Sequence, residues 1–146
     1  MGLKNMLWFL VVAILPWMGC APKPTEIRYG EDICHFCSMT IVDNQFASQY
    51  VTEKGRSFKF DAIECLIKDL ADKDEPSMAF VLVSNYSNPG ELIDARTARY
   101  VVSKSINSPM GANLLAVKNE NAVQNVLPEM ELTEYDWKEI CSELNN

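Results

Sequence analysis

The sequence predicts an α+β fold with a mostly antiparallel sheet, laid out as two ββαβ-type units behind an N-terminal export signal. Three observations predict it. Two stretches rich in Tyr, Val, Phe and Thr, within Ser48 to Phe60, flank the turn Glu53-Lys54-Gly55-Arg56. Ile63, Leu66, Ile67 and Leu70 then fall at i, i+3, i+4 and i+7, the spacing of one buried helical stripe, and an apolar run follows. The same order of strand, strand, helix and strand returns more weakly after residue 98.

The chain starts with an address. Lys4 is the only charge before nine apolar residues, Leu7 to Leu15, and Pro16 to Gly19 lead to Cys20. A basic start, an apolar stretch of about 7–15 residues and a small residue before the cut describe an export signal. The stretch is short for a spanning helix, which needs roughly 20 apolar residues. Gly19-Cys20 resembles the end of a bacterial lipobox, although Trp17 stands where Leu is usual. Residues 1–19 are therefore expected to be a lipoprotein signal peptide, with Cys20 the lipidated N-terminus of the mature chain. A plain secretory signal cut nearby is the alternative. Residues 20–30 carry Pro22 and Pro24 and are expected to tether the domain to the membrane. The protein is thus expected outside the cytoplasm, on the periplasmic side of the envelope.

The folded domain is expected over 31–146, with half-units roughly 34–84 and 98–137. Gly55 supplies the positive φ of the first hairpin. Asp61, with Glu64 three residues on, predicts a capping box for the helix that follows. Asp74-Glu75-Pro76 stops that helix. Ala79 to Val83 is short and continuously apolar, a buried strand. Asn85 to Gly90 is a loop by composition. In the second half, Tyr100 to Val102 and Leu114 to Val117 are strands. A helix capped by Asn119 carries Ala122, Val123, Val126 and Leu127 and stops at Pro128. Leu132 to Trp137 is a last strand and Trp137 to Leu144 a terminal helix.

Composition removes several functions. The 146 residues hold 13 basic and 20 acidic side chains, a net charge of −7. Loss of residues 1–19 removes Lys4 and leaves 12 against 20, or −8. Such a chain repels phosphate backbones, so no nucleic-acid partner is expected. A single histidine excludes a zinc centre built on three imidazoles. No phosphate loop, nucleophile elbow or catalytic carboxylate pair stands out, so an enzyme is not expected. Five cysteines, an odd number, cannot all pair within the chain.

The chemistry sits in Cys34-His35-Phe36-Cys37-Ser38-Met39, three sulfurs within six residues. In an extended segment Cys37 and Met39 point to the same side. Soft thiolate and thioether donors select Cu(I), whereas a structural zinc site wants four Cys or His ligands. A further ligand must come from elsewhere. Met110 is the best candidate, because Pro109 and Gly111 put it in a turn where a core methionine is unusual. Its alternative is to fill a gap under the loop. Met78 and Met130 lie at element edges and read as packing. Cys65, beside the helical stripe, is either a small buried hydrophobe or a ligand. His35 is a ligand, a neighbour that stabilises a thiolate, or a solvated residue. Cys34 is a ligand, a disulfide partner of Cys37, or a guard thiol. Cys141 has no partner that the sequence names.

The series Glu31-Asp32-x-Cys34-x-x-Cys37-x-Met39-x-Ile41-x-Asp43, then Phe46-Ala47, Phe60-Asp61-x-Ile63-x-Cys65 and Pro109-Met110-Gly111, strongly resembles the NosL family, copper-binding lipoproteins that accompany nitrous-oxide reductase. The resemblance runs from about Glu31 to Leu127. It implies two ββαβ units and a role as a copper chaperone that delivers Cu(I) to that reductase in the periplasm, its cuproenzyme client. It carries the C-x-M pair onto Cys37 and Met39 and the distal thioether onto Met110. Ala112-Asn113-Leu114-Leu115 departs from the family's small-residue stretch after Met-Gly. An incomplete ligand set also invites a second chain, so a homodimer sharing one copper is a further expectation.

Two rival readings remain open. One is a thiol–disulfide oxidoreductase that uses Cys34 and Cys37. Against it, no apolar strand leads into the motif, Glu31 and Asp32 are expected to raise the thiol pKa, and Met39 has no redox task. The other is an exported structural protein in which Cys34 and Cys37 close a small disulfide, which stabilises little and leaves Met39 and Met110 unexplained.

Overall fold

The computed structural model describes residues 21–119, 123 and 132–146. The leader 1–19 and the lipidation candidate Cys20 lie outside the described residues. So do Ala122, Val126, Leu127 and Met130.

Among the described residues, seven strands form two antiparallel sheets. Strands β1 (Ser48–Thr52), β2 (Ser57–Phe60), β3 (Met78–Ser84) and β4 (Leu92–Asp94) stand in the order β2-β1-β3-β4. Strands β5 (Arg99–Val102), β6 (Leu114–Val117) and β7 (Thr133–Tyr135) stand in the order β6-β5-β7. In each sheet the first strand of the unit is central, paired on one side with its hairpin partner and on the other with the strand that returns. The two halves therefore share one topology. Helix α1 (Ile63–Leu70) is the crossover of the first half, and α2 (Trp137–Asn145) closes the chain. Of the helix expected after Asn119 only Val123 is described, and it is helical and buried.

The register shows why these residues form these strands. Tyr50 stands opposite Phe58 on one side and Val81 on the other, and Ser48 stands opposite Phe60 and Val83. All six side chains share a face, because orientation alternates along a strand. Tyr50 stacks on Phe58 at 4.9 Å, and its hydroxyl reaches the Asp69 carboxylate of α1 at 2.9 Å. Helix α1 lies over β1 and β2 and also touches β6 and α2, so its stripe joins both sheets. The second sheet is covered on both faces. Tyr100, Leu114 and Ala116 enter the main core, while Val101, Leu115 and Val117 pack with Phe46, Ile106 and Val123 behind it. That explains why β6 reads as an unbroken apolar run.

Four details differ from the sequence reading. The N-cap of α1 is Ala62, in extended backbone and without a side-chain cap. Asp61 instead accepts from the Val42 backbone N–H, and Glu64 bonds another loop. Tertiary contacts have claimed both side chains of the expected capping box. A capping box does form at α2, where Asp136 and Glu139 exchange bonds of 2.8 Å. Strand β4 falls between the two expected half-units, where three residues carry too little pattern to predict a strand. Residues 25–30, expected as tether, are packed. Ile27 is buried in the core, Thr25 exchanges bonds with the Gln49 amide, and the Lys59 ammonium donates to the Glu26 carbonyl. This segment covers β2, the edge strand, as edges require.

Leu66 is fully buried in the stripe of α1, the helix that meets both sheets. Leu66→Ala is expected to lower the unfolding free energy by about 2–5 kcal/mol, read as a lower urea midpoint at unchanged slope. A loss under about 1 kcal/mol would mean that the helix is not the shared core element.

Candidate metal centre

The cysteine loop is a closed pin on the end of β2. Ile33 and Thr40 form an antiparallel bridge, and Gly30 N–H and Ile41 N–H donate to Ile41 O at 2.8 Å and Asp32 O at 2.9 Å. Within it, Cys34 N–H donates to Met39 O and Ser38 N–H to Cys34 O, at 2.8 and 3.0 Å. Ser38 takes φ +63°, the left-handed turn that brings the chain back after Cys37. His35 N–H donates to Lys59 O at 2.9 Å and ties the loop to β2.

Charge holds the same junction. Asp32 accepts from the Arg28 backbone N–H at 2.8 Å, the Arg28 guanidinium at 3.1 Å and the Lys59 ammonium at 2.6 Å. Burial works to raise its carboxyl, but the bonds from Lys59 and Arg28 outweigh that and hold it at about 2. Asp32 is thus a neutralised strut.

Cys65 comes from the first turn of α1, directly under the loop. The sulfur atoms of Cys34, Cys37 and Cys65 all lie within 4.8 Å of one another. Metal–thiolate bonds of about 2.3 Å allow two ligating sulfurs a separation of up to roughly 4.6 Å. The trio is therefore placed to hold one ion after shifts of a few tenths of an ångström. Cys34 and Cys65 are buried and Cys37 is half-buried. The described cysteines Cys34, Cys37, Cys65 and Cys141 are all free thiols.

The three thiols share one negative charge. Cys34 is drawn down to about 4, first by the hydrogen bond from the Cys65 thiol and, against the cost of burial, by the Cys37 and Asp61 backbone N–H groups. Cys65 is pushed far up because it donates to that thiolate and is buried. Cys37 is raised by burial and by its proximity to Cys34. Asp61 is raised by burial and then by the Cys34 charge. The expectation that Glu31 and Asp32 would raise the thiol pKa fails for Cys34. Asp32 is neutralised by Arg28 and Lys59, while neighbouring thiol and backbone donors face the sulfur.

The remaining candidates separate. Met39 and Met110 are 50% and 41% exposed, so neither is a gap filler. His35 is exposed and stands on Phe58 and Phe60, with ring centroids 4.7 and 6.2 Å away, outside the sulfur trio. Cys141 packs from α2 against the main core, its thiol pushed up to about 12 by burial and by Glu75 and Asp136. Met78 is partly buried against the core, as expected. For Cys65 the sequence left a buried hydrophobe and a ligand open, and the structure buries it and brings its sulfur to those of Cys34 and Cys37. Its signal was its place in the first helical turn after Phe60-Asp61, which folds back on the loop.

The reduced protein is expected to keep one thiolate's ultraviolet absorbance from neutral pH down to about 5, and to lose it as pH falls through about 4. Cys65→Ala removes the strongest donor, so the loss should move to higher pH. A titration near that of an ordinary thiol in the unsubstituted protein would disprove the shared charge.

Comparison with known proteins gives the fold and the family. None of the curated proteins matches the chain. The crystal structure of the copper chaperone NosL from Shewanella denitrificans is similar in fold, with a TM-score of 0.65 at 21% identity, over 80% of this chain and 94% of that one. The NosL family model matches residues 24–144, which takes in the packed N-terminal segment, the cysteine pin, both sheets and most of α2. With the resembling motifs lying inside that span, the chain belongs to the NosL family.

Proposed function

We propose that the mature chain is a lipid-anchored Cu(I) carrier on the periplasmic side of the envelope. It binds copper through thiolates and thioethers and passes it to a cuproenzyme, with nitrous-oxide reductase the client that the family resemblance favours. The observation that carries this reading is the convergence of the Cys34, Cys37 and Cys65 sulfurs within 4.8 Å, beneath a loop that exposes Met39.

The arrangement suits uptake and release. Buried thiolates supply tight, soft donors and favour Cu(I) over harder ions. Neutral thioethers are weaker donors, and here they lie at the surface, where an incoming thiolate or imidazole can displace them first. The exposed large apolar side chains among the described residues are Tyr29, Ile33, Phe36, Met39, Val42 and Met110. All but Met110 belong to the segment that forms the pin, which supports approach by a protein client.

The oxidoreductase reading is weaker on these residues. The stabilised thiolate, Cys34, is 1% exposed, while the more accessible Cys37 has a raised pKa. An attacking cysteine needs a low pKa and access together.

The decisive test is an anaerobic Cu(I) titration of reduced residues 21–146 against a competing chelator. Met110→Ala and Cys65→Ala are each expected to weaken binding about tenfold or more, or roughly 1.4 kcal/mol. Because the Cys37 and Cys65 protons must leave, affinity should rise with pH and up to two protons should appear per copper. One copper per chain marks a monomeric site, and one per two chains the shared dimer. Affinity no better than a simple dithiol, unchanged in both variants, would end the carrier reading.

The anchor has its own test. In cells producing the full chain, Cys20→Ala should move the protein from the membrane to the soluble periplasmic fraction. Unchanged membrane association would rule out lipidation at Cys20.

A further inference from the structure

Glu64 has no evident reason to be where it is. It is 2% exposed, one residue before Cys65 on α1, and its carboxylate has no basic partner in hydrogen-bonding range among the described residues. Its Oε1 accepts from the Ser108 hydroxyl at 2.7 Å and from the Ala112 backbone N–H at 3.2 Å. Its Oε2 accepts no hydrogen bond among the described residues. A buried carboxylate with one oxygen idle is a poor way to stabilise a fold.

The two donors are informative. Ser108 and Ala112 each lie two residues from Met110, one before it and one after. The loop between them is closed on itself. Gly111 N–H donates to Ser108 O and Asn113 N–H to Ser108 Oγ, both at 3.0 Å, with Gly111 and Asn113 at φ +79° and +54°. The same Oε1 thus holds both feet of a tight loop whose tip is Met110. The loop belongs to the second half-unit and the carboxylate to the first, 44 and 48 residues away in sequence. Met110 stays 41% exposed while the residues on either side of it are tied down.

We infer that Glu64 is the positioning residue of the copper site: its carboxylate docks the Met110 loop onto the helical turn that carries Cys65, so that a thioether from one half-unit meets the thiols of the other. This rests on the copper-carrier reading and deepens it. The tie fixes the main chain and leaves the thioether free to bind and let go. A purely structural tie would affect stability and leave the energetic link between Glu64 and Met110 empty.

The test is a double-mutant cycle on residues 21–146, which keep every described strand, helix and loop. Cu(I) affinity by chelator competition is measured for the unsubstituted protein, Glu64→Ala, Met110→Ala and the double variant, with folding followed by near-ultraviolet dichroism. Glu64→Ala is expected to weaken binding by about tenfold or more, close to the effect of Met110→Ala, and the double variant to be little worse than either. Glu64→Gln keeps the accepting oxygen and should restore both the affinity and the dependence on Met110. If Glu64→Ala does not fold, Ser108→Ala, which removes one donor, takes its place and must reduce the Met110 effect. Full persistence of the Met110→Ala effect in the Glu64→Ala or Ser108→Ala background overturns the positioning role and leaves the carrier reading intact. No effect of Met110→Ala in the unsubstituted protein overturns the role together with the thioether ligand.

Discussion

Three sulfur atoms within 4.8 Å of one another, two of them buried, are the constraint on which the rest of the structure depends. Thiols packed so closely cannot all ionise, and here one thiolate is held by a neighbouring thiol and by backbone N–H groups. That arrangement needs a loop that turns back on itself, an edge strand to carry it and a helix start beneath it. The bridge at Ile33 and Thr40, the end of β2 and the first turn of α1 supply those three parts. The N-terminal segment over β2 and the ion pairs at Asp32 keep them together.

The two half-units play unequal parts in a shared topology. The first carries all the thiols of the trio. The second brings a sheet buried on both faces and, between β5 and β6, a loop with an exposed thioether at its tip. Helix α1 links them, since its stripe packs on β1, β2 and β6 and its Glu64 bonds the second-half loop. A rigid frame with donors at its seam can hold a soft ion without enclosing it. Open coordination is what the proposed carrier role needs and what a structural metal site avoids.

Much of this was legible in the letters. The hairpin around Gly55, the α1 stripe, the apolar run of β3 and the strand pairs of the second half follow from side-chain period and turn chemistry, which act over a few residues. The fates of Asp61 and Glu64 were not legible. Their spacing is that of a capping box, and a local rule cannot know that Val42, Ser108 and Ala112 offer those carboxylates other partners. Strand β4 escaped because its pairing with β3, not its three-residue pattern, makes it a strand.

The sulfur site divides in the same way. The Cys34, Cys37 and Met39 spacing lies within six residues, so sequence alone determined that soft donors gather there, and the family motifs marked Met110. Which thiol ionises, that Cys65 joins the trio, and that Glu64 bonds the loop of Met110 were decided only by the tertiary structure. The reason is physical. Proximity within a turn is set by covalent geometry, whereas contact between residues separated by 31, 44 or 48 positions exists only once the helix has packed against both sheets.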